Sequence, residues 1–101
     1  MHYTKEKRLL RGLKDFSRLL AKRYELKRIY LFGSLAEGMF FKGSDVDIAV
    51  EGMHFEDYLK ALAEHRSIRK DIHLDILSLE LCKSELKETI LKEGKVLYEK
   101  K

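Results

Sequence analysis

The sequence predicts an α/β (α+β) fold, a mixed β-sheet backed by helices in the order α-β-β-α-β-α-β. Three observations carry this. Apolar residues recur at three- and four-residue steps in one long and two shorter stretches, which is the period of a helix with one buried face. Between these stretches lie short runs rich in Ile, Val, Leu, Tyr and Phe, of strand length and composition. Glycines stand where one kind of run gives way to the other, at Gly33, Gly43 and Gly94, and glycine is the commonest punctuation between elements.

Taken in order, Leu9, Leu13, Phe16, Leu20 and Tyr24 define an amphipathic first helix over about residues 4 to 24, slightly weakened by Gly12. A strand near 27–32 contains Ile29-Tyr30-Leu31-Phe32 and runs into Gly33. After a loop carrying Gly38 and Gly43, the chain turns at Gly43 or Ser44 into a strand near 45–50. Side chains alternate across a strand, so Asp45 and Asp47 project from one side, and Val46, Ile48 and Val50 from the other. The apolar set faces a core and the acids face a cleft. A second helix over about residues 55 to 66 is expected to bury Phe55, Leu59 and Leu62. In the strand near 72–77, Ile72, Leu74 and Ile76 share one face, with Asp75 opposite. A third helix over about residues 82 to 93 stops at Gly94, and a short strand near 95–98 follows. No linker, repeat or low-complexity segment interrupts the 101 residues, so residues 1–101 are read as one domain.

The spacing of the polar residues then specifies a chemistry. A glycine at a strand end allows a tight turn, and the serine beside it offers a backbone N–H and a hydroxyl to an anion. Gly33-Ser34 is therefore read as a phosphate loop. Two carboxylates as close as Asp45 and Asp47 repel and raise each other's pKa unless a cation lies between them. Hard oxygen ligands of this kind suit Mg²⁺ or Mn²⁺ with room for phosphates and water. Asp75, on a later strand, is the candidate for a third acid. A Gly-Ser pair alone is usually just a turn, and an Asp-x-Asp alone is usually a solvated strand face. Their occurrence together, in this order, separates the two readings.

With these residues the chain resembles the minimal nucleotidyltransferases of the DNA polymerase β-like superfamily, the MNT-domain proteins often encoded beside HEPN-domain partners as toxin–antitoxin pairs. Gly33, Ser34, Ala36, Gly38, Ser44, Asp45, Asp47 and Asp75 carry the resemblance, together with the closing Ile90 to Glu99 segment. The resemblance implies the polymerase-β-like fold and a metal site formed by Asp45, Asp47 and Asp75, which are also the catalytic residues. It further implies a nucleotide site at Gly33, Ser34 and Ser44, occupied by a nucleoside triphosphate such as ATP, with two Mg²⁺ ions. The implied activity is transfer of a nucleoside monophosphate, AMP above all, to a hydroxyl of a partner protein: a tyrosine of a HEPN ribonuclease toxin. The chain would then be the antitoxin. Two alternatives stand beside this: an antitoxin that neutralises by binding alone, and an RNA-binding or RNA-modifying module. One departure is that relatives often carry arginine where this chain has Leu35 or Glu37, and a carboxylate near phosphates weakens their binding unless it points away.

Composition bounds the remaining possibilities. The chain has no room for the helical acceptor-binding domain of larger nucleotidyltransferases. The cleft is therefore expected to be completed by another chain, in a homo- or hetero-oligomer. The single cysteine, Cys82, allows no intramolecular disulfide, and no apolar run reaches the length of a membrane span. A reducing cytoplasm and no membrane partner are expected. Cys82 is read as a packing residue. Charged residues make up 38% of the chain, and Asn and Gln are absent, a composition resembling that of hyperthermophile proteins. The formal charge is +4, with basic residues concentrated in the first third. They are read as a solvated helix face, because acids are interspersed and no aromatic stacking pattern accompanies them. Nucleic acid is thus not required. His73 shares the strand face of Asp75, and the histidines show no zinc-ligand spacing.

Overall fold

The computed structural model describes residues 3–33, 46–65, 67–69 and 72–101, with side chains described from Lys7 onward except those of 67–69 and Ile72. Its elements are α1 (Tyr3–Tyr24), β1 (Arg28–Phe32), β2 (Val46–Glu51), α2 (Phe55–Glu64), β3 (Ser67–Arg69), β4 (Ile72–Ser78), α3 (Ser84–Glu93) and β5 (Lys95–Glu99). The expected order holds, with the three-residue strand β3 added between α2 and β4. The sheet runs β3-β4-β2-β1-β5. It is mixed: β1 pairs antiparallel with both β2 and β5, β2 pairs parallel with β4, and β3 is antiparallel to β4.

The parallel β2–β4 pair requires a crossover, and α2 supplies it on the face that α1 also covers. There Leu9, Leu13, Leu20 and Tyr24 of α1 meet Ile29, Leu31, Val46, Ile48, Val50, Leu74 and Ile76 in the main core. The Tyr58 hydroxyl donates to the Ile76 carbonyl at 2.9 Å, fixing α2 to β4. A smaller core on the opposite face joins Tyr30 and Ala49 to Leu79 and Ile90, with Cys82 packed against it. The third helix therefore lies on the face that carries the acids, over β1, and that face is open only in part.

The apolar face expected of the second helix is corrected by the structure. Phe55, Leu59 and Leu62 are 59%, 51% and 37% exposed, and the buried residue of α2 is Ala61. Tyr58 and Ala61 sit on the sheet because the helix lies close to it. Only a small side chain and a flat ring with its hydroxyl bonded to β4 fit there, so the larger leucines are turned outward.

The helix ends follow backbone chemistry. The first helix closes through Leu26 N–H donating to the Ala21 carbonyl at 3.0 Å, with Glu25 at φ 54°. This is the left-handed closure usually given to glycine. Gly94 ends α3 in extended backbone at φ −70°. A side chain there would come within 2.5 Å of the Ile90 carbonyl oxygen and 3.3 Å of that of Leu31. Close approach, not a left-handed turn, therefore calls for glycine at this stop.

Candidate active site

Strand β1 delivers Gly33 and strand β2 delivers Asp47 to the same end of the sheet, since Phe32 is the register partner of Asp47. Gly33 has φ +78°, a conformation natural only to glycine. A Cβ there would lie 2.6 Å from Asp47 Oδ2, well inside contact distance. The carboxylate of Asp47 thus occupies the space that any other residue at 33 would fill.

Across the parallel pair, Asp47 is in register with Asp75, and neighbouring strands lie about 4.8 Å apart. Residues opposite one another in register project from the same face, so the two carboxylates emerge side by side. Asp47 is half-buried and Asp75 is 55% exposed. The flanking positions Val46, Ile48, Leu74 and Ile76 point into the main core. The alternation expected for both strands is therefore realised. His73 Nε2 lies 3.1 Å from Asp75 Oδ1, close enough to hold that carboxylate in place.

Beside Gly33 is a cavity of about 230 Å³ between the end of β1 and one face of α3, lined mainly by Phe32, Leu86, Ile90 and Gly94, with Glu93 as its carboxylate. None of the sequence motifs points to it. The signal was present in Leu86, Ile90 and Glu93, which recur at helical steps.

Of the residues assigned from sequence, Gly33, Asp47 and Asp75 come together. Ser34, Ser44 and Asp45, with the Leu35–Glu37 positions and the loop glycines Gly38 and Gly43, lie outside the described residues. Among the described residues, no group of three or more His, Cys, Asp or Glu is placed to hold a metal ion. Asp47 and Asp75 supply two hard carboxylate donors that suit Mg²⁺ or Mn²⁺. No helix among the described residues is long and apolar enough to cross a membrane.

At one end of the mixed sheet a glycine turn thus closes on one of two in-register carboxylates, as the expected phosphate-and-metal arrangement requires. Comparison with known proteins agrees: the profile described as Polymerase beta, Nucleotidyltransferase matches residues 14–101. The chain belongs to that family, as a minimal nucleotidyltransferase domain, and members of this superfamily are in general metal-dependent. A protein of Methanocaldococcus jannaschii, assigned as a protein adenylyltransferase, is 30% identical over 96 residues, covering 87% of this chain and 96% of the relative. Among solved structures, a toxin–antitoxin complex with AMP-PNP contains a chain superposing with a TM-score of 0.61 at 24% identity, over 87% of this chain and 74% of that one. A Sulfolobus solfataricus protein assigned as a nucleotidyltransferase superposes with a TM-score of 0.60 at 22% identity, over 94% of this chain and 84% of the other. These two likenesses establish the shared fold.

Proposed function

We propose that the chain transfers AMP from ATP to a hydroxyl of a partner protein, a tyrosine of a HEPN-type ribonuclease, and so acts as its antitoxin. The observation that carries this reading is the in-register pair Asp47 and Asp75 with Gly33 packed against the Asp47 carboxylate. Two further supports are the adenylyltransferase assignment of the M. jannaschii relative and the toxin–antitoxin assemblies that share the fold.

Asp47 and Asp75, with Asp45 two residues before Asp47 in the sequence, would hold Mg²⁺, or Mn²⁺ in its place. Bound there, a pair of such ions supplies positive charge to the attacking and leaving oxygens. The remaining work falls to the chain itself. Backbone N–H groups at Gly33 and Ser34, with Ser44, bind the phosphates. Asp75 orients the acceptor hydroxyl and takes its proton, while His73 keeps the carboxylate turned towards it. The hydroxyl oxygen forms a bond to the α-phosphorus as the bond from that phosphorus to the pyrophosphate oxygen breaks, in line. Pyrophosphate leaves with its electron pair. Positioning and charge stabilisation account for most of the acceleration in such transfers.

The test is intact-mass analysis of a HEPN-domain partner after incubation with the chain, ATP and Mg²⁺. A gain of whole AMP units, lost with Asp47→Ala or Asp75→Ala, is expected. Removal of the ions with EDTA should stop transfer to the same extent. Neutralisation by either variant with no mass gain would leave a binding antitoxin on a nucleotidyltransferase fold.

A further inference from the structure

The outer face of α1 carries a stripe of cations that the transfer reaction does not use. On a helix of 3.6 residues per turn, Arg8, Arg11, Lys14, Arg18 and Lys22 fall on one side, opposite Leu9, Leu13 and Leu20, which are buried. All five are exposed. Acids are interspersed with these cations in the sequence, and among the described side chains of α1 the one acid is Asp15. Asp15 is engaged by Arg18 at 3.1 Å, and Glu25 lies beyond the helix end. Arg23 is turned aside to Glu64 at 2.9 Å, and Arg28 bridges Glu51 and Glu99. Arg8, Arg11, Lys14 and Lys22 have no carboxylate partner among the described residues. The helix dipole favours cations only in the last turn, where Lys22 sits, so it does not account for Arg8, Arg11 or Lys14.

We infer that this stripe binds the phosphate backbone of a nucleic-acid duplex. From Arg8 to Lys22 it runs about 21 Å at roughly 1.5 Å per residue, and a duplex carries one phosphate charge per roughly 1.7 Å of axis. A straight row of guanidinium and ammonium groups matches such a line of charge. The row contains no aromatic residue to stack on unpaired bases, and stacking platforms are what single-strand binders use. The stripe also lies on the helical layer behind the sheet, whereas Asp47 and Asp75 project from the other face. A polyanion there does not compete with the nucleotide. Contacts of this kind fix a protein on its partner without reading sequence.

The experiment is fluorescence anisotropy of the whole chain with labelled DNA and RNA duplexes of one sequence, the matching single strand, and polyglutamate as an acidic protein-like competitor. Four neutralised phosphates weaken duplex binding roughly 100-fold between 50 and 200 mM salt. Arg11→Gln, Lys14→Gln and Lys22→Gln together should flatten most of that dependence. Lys83→Gln at the N-cap of α3, with Lys87→Gln and Lys92→Gln within it, removes the same formal charge and should leave it unchanged. Equal DNA and RNA affinity marks recognition of the backbone alone, and a preference for one assigns the source of the duplex. Equal weakening by both triple variants, binding insensitive to salt, single strand bound as tightly as duplex, or binding to polyglutamate in place of duplex overturns the inference.

Discussion

At the scale of single residues, Gly33 and Asp47 depend on each other. Gly33 takes a left-handed φ, and its absent side chain leaves room for the Asp47 carboxylate. Gly33→Ala would therefore displace the carboxylate or the turn by a good fraction of an ångström. Misplacement on the order of 1 Å costs about 100-fold in positioned chemistry. We expect AMP transfer to fall by about that factor, while the left-handed backbone costs about 1 kcal/mol of stability. Transfer and the melting midpoint measured on one preparation separate the two effects, and activity within about threefold of the parent would refute the assignment of Gly33. The glycine at the strand end was legible in the sequence, because a turn there needs it. Its contact with Asp47 was not, since it depends on the β1–β2 register, and neither strand alone states that register. The link from His73 to Asp75 was legible only as a shared strand face.

At the scale of elements, strands were read more securely than the helix face. Alternation in β2 and β4 survives in the structure because both strands are pinned between neighbours, and a slip of one residue would turn every Val and Ile out of the core. Nothing comparable fixed α2, whose apolar residues permit more than one rotation. Its choice was made by Tyr58 bonding to β4 and by the close approach at Ala61. Strand β3 escaped notice because three residues carry too little periodicity to register. These differences have a stability consequence. Leu13→Ala, deep in the main core, should cost about 2–5 kcal/mol, whereas Leu59→Ser on the exposed face should fall within about 1 kcal/mol of the parent. Ala61→Leu should cost about 1–3 kcal/mol by overpacking. Denaturant midpoints at a constant m-value check all three. A Leu59→Ser loss matching that of Leu13→Ala would restore the sequence-based orientation of α2.

At the scale of the whole molecule, the sheet separates two environments, with α1 and α2 sealing the larger core behind it and α3 sealing the smaller one beside the acids. Tyr30 belongs to the smaller core and is almost wholly buried. Burial raises its phenol above the ordinary value of 10.0, because the phenolate would lose its hydration; Glu51 and Glu99 add to the effect and Arg28 opposes it. Between the ordinary value and the raised one, the unfolded chain has released this proton while the folded chain still holds it. Unfolding then releases a proton, so stability falls as pH rises. The contribution is complete below about pH 10 and is lost as pH climbs through the folded value. Tyr30→Phe keeps the ring in the core and removes the titrating group. It should therefore flatten the alkaline decline in stability while leaving the neutral-pH midpoint within about 1 kcal/mol of the parent. Urea midpoints followed from neutral pH to above pH 11 for both proteins decide the matter. If the two lose stability with the same slope, another group governs the alkaline limit, and the smaller core does not set it.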